Sequence, residues 1–300
     1  MAPHSTSPTT ETWSPPIKTP VTSPQDVYTT LNYTELPAGA NGLDVIGDQS
    51  GVPEDQRRMK QRDDITVAKD VVIKDVRGRE DEFKLDVQGF QYVNHSIEGV
   101  TDWTDPKQIT EKVQPATVEL VKKLTGASKV VVYLDRNRFN PNEKGSQMST
   151  AHSPSHGVHT DLTHASCHFT LAKSVPDPAE RDELLSGRYI VVNVWRPVVT
   201  IKKDPLTVCD WRSVDPVKDI YNDRRVVGDN VMEFGLPIYS DKHEWYYLNE
   251  QRPDEPLVFK QLDSNLETNI TLPHSAFVDP KYVDYPPRRS IEMKCFAFFD

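Results

Sequence analysis

The stretch Tyr189-Ile190-Val191-Val192-Asn193-Val194-Trp195 is a short run of β-branched and aromatic side chains that ends just before Pro197. It is too short for a buried helix and has the composition of a strand covered on both faces. Downstream the same signal recurs at Leu206 to Cys209, Glu244 to Leu248, Pro256 to Lys260 and Ser290 to Phe299. Upstream, Val71-Val72-Ile73, the alternating Phe83-Lys84-Leu85-Asp86-Val87 and Phe90 to Val93 are separated by Gly78 and Gly89, and predict hairpins. Val130-Val131-Val132 predicts one more buried strand. Helical spacing is confined to roughly 106–125, where Pro115 opens a second piece and Gly126 offers a left-handed cap, and to Asp177 to Ser186. With no βαβ alternation and no fixed repeat, the predicted class is β-rich α+β, an antiparallel barrel or sandwich with flanking helices.

The 300-residue chain carries 35 Lys and Arg against 45 Asp and Glu, a formal charge of −10 that disfavours nucleic acid and anionic lipid as partners. No apolar run approaches the roughly 18 residues a membrane span needs. Cys167, Cys209 and Cys295 are odd in number and scattered, which suits reduced thiols and a cytoplasmic location. The Pro-, Ser- and Thr-rich residues 1–25 predict a disordered leader. The first regular element is expected near Ile65, with Leu31 and Tyr33 able to anchor an earlier segment to the core, and residues 26–300 read as a single domain. Within it the polar segment Asp135 to Ser155 is expected to be a loop able to close as a lid.

Five of nine histidines lie between His152 and His168. In His159-Thr160-Asp161 an extended backbone would project the imidazole and the carboxylate from one face and turn Thr160 away. Composition alone predicts such a pair, so its company matters: His274 follows Asp161 by 113 residues, beside the strand-rich C-terminus. Two His and one carboxylate form the facial set that holds ferrous iron and leaves positions open for O2 and a chelating cosubstrate. Closing a barrel would bring His274 over the pair. Arg288, 14 residues further on, could then grip the far end of a dicarboxylate bidentately.

Several ordered blocks extend this pattern across the chain: Asp75-Val76-Arg77-Gly78, Leu85 to Phe90, Leu124 to Ala127, His159-Thr160-Asp161, Asn193 to Pro197, His243-Glu244-Trp245-Tyr246-Tyr247, Pro273 to Phe277 and Arg288 to Glu292. Together they resemble a family of mainly fungal and bacterial secondary-metabolite oxygenases that includes gibberellin desaturase, the aspergillic acid hydroxylase and the cephamycin hydroxylase component. The resemblance spans about Tyr33 to Phe299. It implies a double-stranded β-helix, a cupin-like jelly roll, using Fe(II), 2-oxoglutarate and O2. His159, Asp161 and His274 would be the metal ligands and Arg288 the cosubstrate anchor. Two positions depart from the family's last block: Arg289 stands where an acidic residue is expected, and Lys294 where an arginine is. Strand alternation would put Arg288, Ser290, Glu292 and Lys294 on one face, opposite Arg289, Ile291, Met293 and Cys295, so only one of the two arginines can point inward.

Arg196 is a second candidate for the cosubstrate pocket, the other role open to it being to fix the Trp195-Arg196-Pro197 corner. His243, Trp245 and Tyr246 are candidate substrate contacts, with His243 also a rival distal ligand or a buried polar partner. The expected activity is oxidation of a small metabolite, a terpenoid, peptide or amino-acid derivative, by hydroxylation, desaturation, cyclisation or peroxidation. Two alternatives stay open: an iron oxidase that draws all its electrons from substrate, and a jelly-roll protein that only sequesters a ligand. Oligomeric state is not legible.

Overall fold

The computed structural model describes residues 25–36, 43–46, 65–138, 153–227, 230–266 and 271–300. The expected leader lies outside these residues but for Gln25, as do residues 139–152 of the expected lid. Two five-stranded sheets face each other as a jelly roll. One has the order β1 (Val27–Thr34), β3 (Thr66–Asp75), β10 (Trp245–Tyr247), β7 (Leu206–Cys209), β12 (His274–Ala276). The other runs β4 (Phe90–Tyr92), β11 (Leu257–Asp263), β6 (Tyr189–Pro197), β13 (Ser290–Phe298), β5 (Lys129–Asn137). All pairings within them are antiparallel except β10 with β3. A smaller sheet joins β2 (Leu43–Ile46), β8 (Ile220–Val227) and β9 (Asn230–Pro237).

Helical cover on the second sheet explains why β6 and β13 are buried almost throughout. Pro106–Gln108, capped by the Asp105 side chain, passes through a π-helical segment, Ile109–Val113, into the helix Gln114–Thr125. That helix ends at Gly126, whose φ of 75° is the left-handed conformation a residue without Cβ adopts freely. Val113, Leu120 and Val121 pack on Val192, Val194, Ile291, Met293, Cys295 and Ala297, the outward positions of the two strands. Each fully buried aliphatic side chain there stabilises by roughly 1.5–3 kcal/mol. The inward positions face the other sheet, where Phe90, Trp195, Phe259, Tyr246 and Leu272 form a second cluster. Cys167, Cys209 and Cys295 are all buried free thiols.

Four expectations need correction. Phe83 to Val87 is not a strand: it follows a short 3-10 turn at Glu80–Glu82, and its alternating Phe83 and Leu85 are buried from a turn, so alternation there reports burial and not pairing. β3 and β4 do not form a hairpin, because they belong to different sheets. Among the described residues regular structure begins at Val27 and not near Ile65; Leu31 and Tyr33 fill the core from β1. The strand at Val130 runs on to Asn137 as a half-exposed edge, so Asp135 to Asn137 belong to β5.

β8 and β9 also escaped the strand pattern, although Gly228-Asp229 between them carries the composition of a two-residue hairpin loop. β9 matters because Gly235 lies against Thr160: a Cβ at Gly235 would meet Thr160 Oγ1 at 2.6 Å and Ile220 Cγ2 at 2.8 Å. Gly235→Ala is therefore expected to cost about 1–3 kcal/mol of stability and to displace the segment bearing His159 and Asp161. Thermal melts paired with a divalent-metal titration check this; an unchanged metal affinity would mean that the clash is absorbed elsewhere.

Candidate metal centre

The segment 158–161 is tied down residue by residue at the edge of the first sheet. Val158 N–H donates to Asn32 O at 2.8 Å, and His159 and His274 exchange backbone hydrogen bonds at 3.2 and 3.0 Å. Thr160 N–H donates to Gly235 O, Gly235 N–H returns a bond to Thr160 Oγ1, and Asp161 N–H donates to Gln261 Oε1, each at 2.9 Å. The antiparallel bridge makes His159 and His274 cross-strand neighbours, with ring centroids 4.3 Å apart. Thr160 is buried on the opposite side, as an extended backbone requires.

The two imidazoles are oriented alike. His159 Nδ1 lies 2.7 Å from Gly157 O and His274 Nδ1 3.3 Å from Leu272 O; a carbonyl only accepts, so the proton sits on Nδ1 in each ring. Both Nε2 atoms then turn their lone pairs to Asp161, at 3.8 Å from Oδ1 for His159 and 3.6 Å from Oδ2 for His274. Burial pushes the His159 imidazole down to about 3 and lowers His274 as well, so both rings stay neutral. Burial pushes the Asp161 carboxyl up, but Lys294 and the two imidazoles outweigh it and hold it well below the usual carboxylate range. Two neutral imidazoles and one carboxylate, with ligand atoms all within 4.8 Å, are a donor set for one divalent cation.

Around this set the inner wall of the second sheet carries a polar band: strand alternation put Glu292 and Lys294 on one face, and the fold sets Asn193 and Asp161 against them. Asn193 Nδ2 donates to Asp161 Oδ2 at 2.5 Å and to Glu292 Oε1 at 2.9 Å. The Lys294 ammonium pairs directly with Asp161 Oδ1 and lies 3.7 Å from Glu292 Oε2. The register that pairs Asn193 with Lys294 and Trp195 with Glu292 puts all four on one face. A signal for them was present: charged residues at alternate positions of β13, with Ile, Met and Cys between, have no place on a strand buried on both sides unless they face a site.

Arg288 lies on the same inner wall, 5% exposed, with its guanidinium 5.3 Å from the centre of the Trp195 ring. Its Nη1 donates to Asp204 O at 2.7 Å, and burial lowers its pKa to about 10. Its Nε, the Trp195 indole N–H and the Ser290 hydroxyl are buried polar groups with no partner among the described residues. Native interiors seldom leave such donors unmet, and a carboxylate would satisfy them. Arg289 is turned toward Asp102, in the loop before the covering helix, and its carbonyl accepts from Val198 N–H at 2.8 Å.

The remaining candidates are not brought to the triad. Arg196 pairs with Ile291 in register, faces away from Asn193, and donates to His95 O at 2.5 Å, Pro253 O at 3.1 Å and His95 Nδ1 at 2.7 Å. It fixes the corner after Trp195. His243 is buried with both nitrogens engaged, by Tyr33 Oη at 3.0 Å and Asp219 Oδ2 at 3.2 Å, while Trp245 Nε1 donates to Tyr33 Oη at 2.8 Å. These belong to the cluster on the outer face of the first sheet. Tyr246 alone turns between the sheets, packed on Phe83 and Phe90 with its hydroxyl on Glu244.

A jelly roll whose inner wall brings together a His-x-Asp pair and a distant histidine defines the class of non-haem iron oxygenases. Residues 31–298 match the family model described as an oxidoreductase/YMDC permease-like domain. The hydroxylase/desaturase efuI of Hormonema carpetanum is 31% identical over 91% of this chain and 95% of its own length. An alpha-ketoglutarate-dependent dioxygenase, phiK, from a fungal species is 31% identical over 77% of this chain and 84% of its own. Among solved structures, the iron and alpha-ketoglutarate-dependent endoperoxidase NvfI superposes with a TM-score of 0.75 at 25% identity, covering 93% of this chain and 99% of that one. The chain belongs to this family of fungal hydroxylase/desaturases and Fe(II)/2-oxoglutarate-dependent dioxygenases. No helix of the described residues is long and apolar enough to cross a membrane.

Proposed function

We infer that His159, Asp161 and His274 hold Fe(II), that Arg288 anchors the distal carboxylate of 2-oxoglutarate, and that the protein oxidises a small secondary metabolite. The observation that carries this reading is the convergence of two Nδ1-protonated imidazoles on one ionised carboxylate, within a wall that also leaves buried donors at Arg288, Ser290 and Trp195 unpaired. Iron held there supplies O2 activation coupled to decarboxylation of 2-oxoglutarate to succinate and CO2, with the second oxygen atom or its oxidising equivalents passed to substrate. The chain's own part is positional. Gly157 O and Leu272 O fix the tautomers, Asn193 and Gln261 hold Asp161, and the apolar wall of Phe90, Trp195, Phe259 and Tyr246 keeps bulk water out.

The proposed substrate is a terpenoid, peptide or amino-acid derivative, and the proposed outcome hydroxylation, desaturation, cyclisation or peroxidation. Buried free thiols at all three cysteines suit the proposed cytoplasmic location. Anaerobic protein mixed with Fe(II) and 2-oxoglutarate is expected to develop a weak visible charge-transfer band, and to form succinate when O2 and a competent substrate are added. Iron binding without the band would favour an oxidase that takes all its electrons from substrate. Failure to bind iron would leave a ligand-binding jelly roll.

A further inference from the structure

We propose that Lys294 sets the balance between metal and cosubstrate: its ammonium competes with a divalent cation for Asp161 and, once released by Asp161, binds the metal-proximal carboxylate of the 2-oxoacid. The inference rests on the iron reading of the triad. Asp161 divides its two oxygens between different neighbours. Oδ2 takes the Asn193 amide at 2.5 Å and faces His274 Nε2 at 3.6 Å, while Oδ1 takes the Lys294 ammonium and faces His159 Nε2 at 3.8 Å. The ammonium therefore sits on the carboxylate oxygen that faces His159, inside the donor set that a metal held by the two histidines would draw on.

A monovalent and a divalent cation sharing one carboxylate in a buried site repel strongly. The ammonium is the one free to yield, because it rides on a flexible four-carbon stem with three rotatable donors, whereas the metal is held by two further ligands. Its other acidic neighbour, Glu292, lies 3.7 Å away and already accepts from Asn193, so Lys294 has one partially satisfied fallback inside the wall. A side chain only 6% exposed cannot simply move into water. A 2-oxoacid chelating the metal brings a carboxylate into that space. Arg288, two residues before β13, and Lys294 within it are six residues apart on the inward side, roughly 20 Å of extended chain. Their long side chains thus offer a cation to each end of a dicarboxylate.

A purely structural Lys294 would merely neutralise a buried carboxylate, and removing it would weaken everything at the site together. The proposal predicts effects of opposite sign. With Co(II) as probe, followed by its visible spectrum, Lys294→Met is expected to bind metal about tenfold or more tighter, and 2-oxoglutarate added to the Co(II)-loaded protein about tenfold or more weaker. Lys294→Arg, which keeps the charge, should stay within about threefold of the parent in both. Lys294→Gln, polar and of similar length, should follow Lys294→Met and serves if the methionine variant folds poorly. Unchanged or weaker Co(II) binding in the neutral variants, or an unchanged 2-oxoglutarate affinity, would overturn the proposal while leaving the triad intact. Co(II) binding in the parent that is indifferent to His274→Ala would instead sink the metal-site reading, and this inference with it.

Discussion

Replacing His274 by alanine is expected to abolish turnover and to lower Fe(II) affinity by more than the roughly 10–100-fold that loss of an outer hydrogen-bonding partner costs a metal site. His159→Ala and Asp161→Ala should do the same, because a three-ligand set cut to two loses both a bond and the facial arrangement. The geometry supplies its own controls. Asn193→Ala removes a donor to Asp161 Oδ2 without touching a ligand, and should fall in the 10–100-fold range. His243→Ala should leave metal binding alone, since both its nitrogens are committed to Tyr33 and Asp219 on the outer face of the first sheet, whatever it costs in stability. Calorimetric titration with Mn(II) or Co(II) beside a succinate assay separates these outcomes. Parent-like affinity in any one of the three ligand variants would remove that residue from the set.

The second large effect is expected at Arg288. A dicarboxylate whose far end is buried without a cationic partner loses several kcal/mol, so Arg288→Ala should weaken 2-oxoglutarate binding by roughly 2–5 kcal/mol, about 30- to 4,000-fold. Arg288→Lys should lose less, keeping the charge but not the planar fork. Metal affinity should hardly change in either, which distinguishes a lost anchor from a collapsed wall. Arg289→Ala and Arg196→Ala are expected to leave the cosubstrate requirement near the parent's: one, just before β13, lies within electrostatic reach of Asp102, and the other is held by His95 and Pro253 beyond the corner. A selective loss at Arg289 would mean that the register of β13 is one residue off.

What proved legible in the residues is what depends on neighbours along the chain. The helix near 106–125, its Pro115 start and Gly126 stop, and the strands at Leu206, Trp245 and Ser290 all follow from local dihedral preference and side-chain alternation. So does the separation of Arg288, Ser290, Glu292 and Lys294 from Ile291, Met293 and Cys295: the second group packs under the helix, while Glu292 and Lys294 meet Asn193 and Asp161. The same local rule misled at Phe83 to Val87, where turn residues alternate in burial without a partner strand. It also passed over β1, whose Val27, Leu31 and Tyr33 carry a strand signal beside a polar leader.

By itself, then, the sequence determined that a β-rich chain would present His159 and Asp161 from one face, and that one arginine after His274 would turn inward. A strand's period of two is a property of the backbone and needs no distant contact. Only the tertiary structure decided that His159 pairs across an antiparallel bridge with a residue 115 positions away, that Asn193 and Lys294 are Asp161's partners, that Arg196 serves a corner, and that His243 and Trp245 belong to a core network around Tyr33. These contacts exist because two sheets close on each other. Closure is set by the sum of many weak burial terms over the whole chain, to which no single motif contributes more than a small part.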